Sequence, residues 1–278
     1  MKRIISIQDI SCIGKCSLTV ALPIISALGI ECSIVPTAIL STHTQFKGFT
    51  FRDLTEDMAP IREHWTSEGF KFDAIYTGYL GSEKQVDLVK EYFDAFGTDC
   101  PKIVDPAMAD GGKLYAGFDD EFPHAMARLC GYADIILPNI SEACLMTDSV
   151  YPGEEADEET IKNLLDKLSK LGSKLVVITG VTLDDGSFGF YGFDTTTGKY
   201  FKYGAPKVPY RSHGTGDVFA SSFVGAHING MNVYDALKVA ADYTSACISN
   251  TYSDPDHVNY AVNFEAELPR LLRACNII

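Results

Sequence analysis

Apolar residues rich in β-branched side chains recur along the chain in short runs, at Ile4 to Ile7, Ile30 to Ile39, Ala74 to Tyr79, Lys102 to Asp105, Asp134 to Leu137 and Lys174 to Thr179. Runs of this length between polar stretches predict buried strands. Between most of them the apolar positions follow a helical period. Over Glu83 to Phe96, for example, Val86, Leu88, Val89 and Phe93 are followed by Gly97 as a stop signal. This alternation predicts a largely parallel sheet covered by helices on both faces, a three-layer α/β/α sandwich. Towards the C-terminus, Ser187 to Phe193 and Lys199 to Tyr203 flank the turn-like Asp194 to Gly198 and predict a hairpin. Helices are expected over Val218 to Ile228, Val233 to Asn250 and Glu265 to Ala274. No composition shift, linker or repeat divides the sequence, so residues 1–278 read as one domain.

Hydrophobic residues make up 46% and charged residues 22% of the chain, the balance of a globular core with a solvated surface rather than of a disordered or fibrous protein. The net charge of −14 works against generic binding to nucleic acid or to an anionic membrane. An anionic ligand would need local help from helix N-terminal N–H groups or a divalent cation. The opening MKRIISIQDI has too short an apolar stretch for a signal peptide, and no run is long enough to span a membrane, so a cytoplasmic protein is expected. The 8 cysteines form no C-x-x-C pair and no zinc-like cluster, and they read as reduced, mostly buried thiols. Cys12 and Cys16, at helical spacing but without a third ligand, are taken as packing residues.

In an open α/β sheet the ligand crevice lies outside the carboxyl ends of the strands. The positions that follow the predicted strands are Asp9, Thr42 to Thr44, Tyr79, Asp105, Asn139, Thr179 and Gly180. The most informative segment is Ser212-His-Gly-Thr-Gly-Asp217, a glycine-rich turn running into a helix. Gly214 and Gly216 permit tight backbone geometry, and the unpaired N–H groups of the first helical turn form an anion hole. Asp217 on the same rim is placed to accept a hydroxyl proton while those N–H groups stabilise a transferred phosphoryl group. The same residues also suit an ordinary helix start. Asn139 and Glu142, after the strand Asp134 to Leu137, suit either a magnesium site or a capping box. Asp105 to Gly112 and Thr179-Gly180 suit either phosphate and cation contacts or plain turns. His43 lies among hydroxyl residues and is expected to touch a substrate, with His213 supporting the loop.

There is no G-x-x-x-x-G-K-[ST], and no G-x-G-x-x-G follows the first strand, which argues against P-loop and dinucleotide-binding readings. Over essentially its full length the chain resembles the ribokinase superfamily, and within it the pyridoxal (pyridoxine, pyridoxamine) kinases. The resemblance rests on SIQ at Ser6 to Gln8, STHTQF at Ser41 to Phe46, TGYLGS at Thr77 to Ser82 and DPAMAD at Asp105 to Asp110. It continues through PNISEA at Pro138 to Ala143, VVITG at Val176 to Gly180 and GTGD at Gly214 to Asp217.

The resemblance implies ATP-dependent phosphorylation of the hydroxymethyl group of a vitamin B6 vitamer, with Mg²⁺ and a monovalent cation (K⁺ or Na⁺). Asp217 would be the catalytic base, with Gly214 and Gly216 lining the anion hole. Asp105, Asp110, Asn139, Thr179, Gly180 and Thr215 would face the nucleotide, Glu142 and Asp105 the metal. Asp9, Ser11, His43, Thr44 and Tyr79 would line the vitamer pocket. A homodimer is implied on the same ground. One departure stands out: the family commonly places Ser-His after the opening Gln, whereas Asp9 and Ile10 follow Gln8 here. Either Ser11 serves from a neighbouring position or Asp9 pairs with the ring nitrogen or phenolic oxygen. The rivals are a hydroxymethylpyrimidine kinase of thiamine synthesis, whose members typically carry Cys where this chain has Asp217, and a non-catalytic vitamer-binding protein.

Overall fold

A computed structural model describes residues 1–153 and 156–278. Its strands are β1 (Arg3–Ser11), β2 (Glu31–Leu40), β3 (Phe51–Asp53), β4 (Ala74–Thr77), β5 (Lys102–Val104), β6 (Ala109–Asp110), β7 (Lys113–Leu114), β8 (Ile135–Ile136), β9 (Leu175–Thr182), β10 (Phe188–Asp194) and β11 (Lys199–Ala205). The helices are α1 (Leu18–Ala27), α2 (Thr55–Ser67), α3 (Glu83–Phe96), α4 (Phe122–Cys130), α5 (Ile140–Met146), α6 (Glu158–Ser169), α7 (Thr215–Ile228), α8 (Val233–Ser253) and α9 (Phe264–Ala274).

Nine strands form one sheet in the order β11-β10-β9-β8-β5-β4-β1-β2-β3. Pairing is parallel from β2 across β1, β4, β5 and β8 to β9, and antiparallel at both edges, where β3 and the β10–β11 hairpin lie. The two-residue period of the strands sorts their side chains into two layers. Ile5, Ile7, Val35, Ile75, Val104 and Val176 face a core with residues of α2 to α6, whereas Ile4, Ala74, Tyr76, Ile103 and Val177 face α1, α7 and α8. With every central strand buried on both faces, hydrophobic burial at about 25 cal/mol per Å² fixes the sandwich. The expected three-layer fold with its C-terminal hairpin is what forms.

Three features were not anticipated. β3 is a fully exposed edge strand of 3 residues. β6 and β7 make a small hairpin whose loop is Gly111-Gly112, both at positive φ (57° and 76°), as a two-residue type I′ turn requires. Helix α7 starts at Thr215, in the glycine-rich turn itself, rather than at Val218.

Candidate active site

The carboxyl ends of β1, β4, β5, β8 and β9 open on one side of the sheet, and the sequence-predicted residues gather there. On β1 the register with β2 shifts between Gln8 and Ile10, so Asp9 sits at an irregularity opposite an extra residue of β2. Its side chain is buried and accepts a hydrogen bond from Ser11 Oγ at 3.0 Å. Burial pushes the Asp9 carboxyl above its ordinary range, against hydrogen bonds from Ser17 and Ser11.

The segment between β1 and α1 turns back over the glycine-rich loop. Gly14, Lys15 and Ser17 all have positive φ (121°, 51° and 53°). Lys15 and Cys16 press on Gly214, where a Cβ would lie 2.3 Å from the Lys15 carbonyl oxygen and 3.6 Å from Cys16 Sγ. Gly214 is therefore demanded twice, by contact and by its φ of 79° at the start of α7. The N–H groups of Thr215, Gly216 and Asp217 open the helix without intrahelical acceptors, and the Gly216 side of the turn is open space. Half-buried Asp217 joins this rim. Burial raises its pKa to about 7, the Ser17 backbone N–H pulls it down, and the neighbouring Asp9 charge pushes it up.

Two more carboxylates complete the cluster. Asp105 follows β5 and is held well above the carboxylate range by burial, then by Glu142 and Asp217. Its carboxylate accepts no hydrogen bond among the described residues. Glu142 differs. Its Oε2 accepts the Asn139 N–H at 2.8 Å, its Oε1 accepts those of Met108 at 3.1 Å and Ala109 at 3.4 Å, and the Asn139 side chain accepts the Glu142 N–H at 3.0 Å. That is a full capping box on α5 that also ties down the strand leading into the β6–β7 hairpin. Asn139 Nδ2 donates to the Ala109 carbonyl at 2.8 Å and Gly112 N–H to Ser141 Oγ at 2.8 Å. The hairpin is thereby stapled beside the cluster, bringing exposed Asp110 within electrostatic reach of Glu142 and His213. On β9, Thr179 N–H donates to the Pro138 carbonyl at 2.8 Å. Gly180, at φ 71°, is the extra residue where Phe190 and Gly189 of β10 pair with Thr179 and Val181, so β9 carries a bulge there.

On the other side of Asp9, Tyr79 packs its ring 5.5 Å from Phe118, and burial with the Asp9 and Asp53 charges raises its phenol to about 12. His43 is buried, with Nε2 3.0 Å from the Tyr260 carbonyl and Nδ1 accepting the Gln45 N–H at 3.3 Å. Its face lies 5.3 Å from His213, and a Cβ at Gly14 would lie 2.1 Å from its Cδ2. Both ring nitrogens are thus engaged by backbone, and the ring joins three loops at the rim. Thr44 follows on the same loop, half-buried. Thr42, not Thr44, carries a buried hydroxyl without a hydrogen-bond partner.

Among the described residues no group of three or more His, Cys, Asp or Glu side chains is arranged as a metal cage. Asp105, with Glu142 behind it, is nonetheless a set of hard oxygen donors, and it fits an Mg²⁺ ion that keeps most of its waters and takes the rest of its ligands from phosphate. A cavity of about 970 Å³, lined by Lys102, Asp134, Lys174, Tyr200 and Tyr234 among others, opens at the amino ends of β5, β8 and β9 and contains none of these residues. Sequence reasoning missed Ser17, which lowers both the Asp9 and the Asp217 carboxyl, Cys16, whose thiol is raised by burial and by those same two charges, and Tyr115, a phenol raised by burial and by Glu142, Asp110, Asp217 and Asp105.

A three-layer sandwich with a glycine-rich turn, an Asp at the first turn of a helix and an acidic cluster at the strand ends defines a ribokinase-like small-molecule kinase. The family described as phosphomethylpyrimidine kinase matches residues 22–263, and the chain belongs to it. The chain is 35% identical to a Bacteroides thetaiotaomicron protein assigned as a phosphomethylpyrimidine kinase, with TM-score 0.91 over 97% of this chain and 95% of that one in a crystal form with pyridoxal. Pyridoxal kinase from Lactobacillus plantarum is 29% identical, with TM-score 0.90 over 98% of this chain and 97% of that one. The thiamine biosynthetic bifunctional enzyme TH1 of Arabidopsis thaliana is 29% identical over 79% of this chain, which spans only 41% of that enzyme's length.

Proposed function

We propose that the protein transfers the γ-phosphoryl group of ATP to the hydroxymethyl group of a pyridoxal-like vitamer. The observation that carries this reading is Asp217 at the lip of the N–H-lined turn, ionising near neutral pH beside buried Asp9. The acceptor oxygen attacks the γ-phosphorus, the bond to the β–γ bridging oxygen breaks, ADP leaves and Asp217 takes the hydroxyl proton. The N–H groups of Thr215, Gly216 and Asp217 face the charge that develops on the transferred group. Asp105, with Glu142 behind it, would hold Mg²⁺, which supplies charge neutralisation at the phosphates. Thr179, Gly180 and the stapled hairpin with Asp110 and Asn139 would flank the nucleotide. Tyr79, Thr44 and Ser11 would enclose the acceptor ring, with Asp9 as the buried acid facing a ring heteroatom.

Support for a pyridoxal-like acceptor comes from the pyridoxal-containing form of the Bacteroides relative and from Asp217 at a position where the hydroxymethylpyrimidine kinases typically carry Cys. A second reading, phosphorylation of a hydroxymethylpyrimidine, is favoured by the family match and by the thiamine enzyme among the relatives. ADP release with Mg²⁺ and ATP, measured against pyridoxal, pyridoxine, pyridoxamine and hydroxymethylpyrimidine with ³¹P detection of the product, separates the two by their kcat/KM. Turnover of none of them would overturn both.

A further inference from the structure

His43 is 6% exposed and commits each of its polar atoms to backbone. Its N–H donates to the Ile13 carbonyl at 3.3 Å and its carbonyl accepts the Phe46 N–H at 3.2 Å, while the ring meets the Gln45 N–H at Nδ1 (3.3 Å) and the Tyr260 carbonyl at Nε2 (3.0 Å). These partners fix the tautomer. A backbone N–H only donates, so Nδ1 is bare, and a carbonyl only accepts, so the ring proton sits on Nε2. The ring is therefore neutral, with neither nitrogen left for a substrate. Its surroundings are equally close. The ring stacks on His213 at 5.3 Å with 25° between the planes, Phe46 and Tyr260 pack against it at 5.0 and 6.4 Å, and a Cβ at Gly14 would lie 2.1 Å from its Cδ2. Burial lowers the pKa of both imidazoles, which favours the neutral forms that a stacked pair requires.

From this geometry we propose that His43 is a positioning residue of the kinase site, a neutral clasp that holds the two sides of the phosphoryl transfer in register without bonding to either reactant. The idea rests on the kinase reading above. The residue ties its own loop, 41–50 after β2, to residues 12–17 before α1, to residues 254–263 between α8 and α9, and to the turn that leads into α7. Thr44, the next residue, belongs to the acceptor side. His213, stacked on the ring, is followed directly by Gly214, where the N–H-lined turn begins and which Lys15 of residues 12–17 also meets. One ring thus sets the acceptor loop against the turn that faces the transferred phosphoryl group, and a misplacement of about 1 Å between such parts is enough to cost about 10²-fold in rate.

Three substitutions take the clasp apart by function. Gln reaches as far as Nε2 and carries a donor for the Tyr260 carbonyl, Asn reaches only as far as Nδ1 and carries an acceptor for the Gln45 N–H, and Leu offers neither. With kinetics measured well below each melting temperature, kcat/KM for the acceptor should fall about tenfold or more in His43→Leu and His43→Asn and stay within about threefold of wild type in His43→Gln, while the KM for ATP stays within twofold in all three. A residue that merely filled space would lower the melting temperature of the variants without this order in their rates. In the wild type, long-range ¹H–¹⁵N correlation spectra, with the His43 signals assigned by their loss in His43→Gln, should show Nε2 protonated and Nδ1 bare. A ring protonated at Nδ1, or a His43→Gln variant no more active than His43→Asn, would overturn the clasp, and that pair decides the matter even if His43→Leu does not fold. A wild-type protein that phosphorylates no hydroxymethyl acceptor would overturn the functional reading instead, and the tautomer would then decide on the clasp by itself.

Discussion

Replacing Asp217 with Asn tests the proposed chemistry and the electrostatics of the site together, because the two respond with opposite signs. Asn keeps the shape but cannot take a proton, so kcat should fall by about 10²–10⁴ while nucleotide affinity changes little. In the wild type kcat should rise with pH as Asp217 ionises near pH 7 and level off above, a limb absent from the variant. Stability goes the other way. Burial raises the folded-state pKa from 3.8 to about 7, so the folded protein holds this proton more tightly than the unfolded chain. The associated stability is full below pH 3.8 and is lost as pH rises to about 7. At about 1.4 kcal/mol per pH unit this comes to about 4 kcal/mol, and water reaching a half-buried side chain reduces it to about 1–3 kcal/mol. Asn does not carry that cost. The variant, free of ligand, should melt higher than wild type at pH 8, with a smaller gain at pH 5. If Asp217 only complemented the α7 dipole, the substitution would instead lose about 0.3–1 kcal/mol and turnover would be nearly normal. Turnover within threefold of wild type, or a lower melting temperature at pH 8, would refute the reasoning.

Glu142→Gln sets an NH₂ against N–H donors that now face carboxylate oxygens, so the melting temperature should drop by the equivalent of about 1–3 kcal/mol and the Mg²⁺ concentration for half-maximal activity should rise; an unchanged metal dependence would leave Glu142 to capping alone. Thr44→Val should raise the acceptor KM and spare that for ATP, since it removes one hydroxyl at nearly constant volume; equal KM values would place the pocket elsewhere. Gly214→Ala forces a Cβ to 2.3 Å from the Lys15 carbonyl at φ 79°, and should depress kcat more than ten times as far as Gly186→Ala, which shares a positive φ but has open space around it.

Much of the fold was legible because burial on two faces leaves a plain record. Ile4, Ile5 and Ile7, or Ile75 and Tyr76, supply both layers in succession, which reads as an uninterrupted apolar strand. β3 left no such record, since all three of its residues are exposed. The start of α7 was read late because Thr215 and Gly216 are poor helix formers, and the residue before them, Gly214, is held by Lys15 and Cys16, about two hundred residues away in sequence. Of the motif-borne candidates, Asp105 directly follows β5 and Asn139 follows β8, as the topology rule expects, whereas Gly180 lies inside β9 and Asp217 in the first turn of α7. Ser17 was invisible for the opposite reason. Its positive φ is imposed by tertiary packing, and nothing local in Cys-Ser-Leu announces it. For Glu142 the structure shows the cap, and the metal role belongs to the proposal, in which an acid that holds its own helix start stands behind Asp105.

An acidic protein that binds a triphosphate is a smaller paradox once the cluster is considered group by group. Asp9, Asp105, Glu142 and Asp217 are all pushed upward chiefly by burial. Such a set is not a wall of fixed negative charge. Burial favours their protonated forms, and Glu142 and Asp217 are raised to about 7, which lowers the repulsion an incoming polyphosphate meets, while the N–H groups of the α7 turn offer it a partial positive charge. In its ionised form Asp105, with Glu142 behind it, would hold a divalent cation. The same burial that makes the acids costly to fold raises Asp217 to about 7, which on the proposed reading suits it to take a hydroxyl proton near neutral pH.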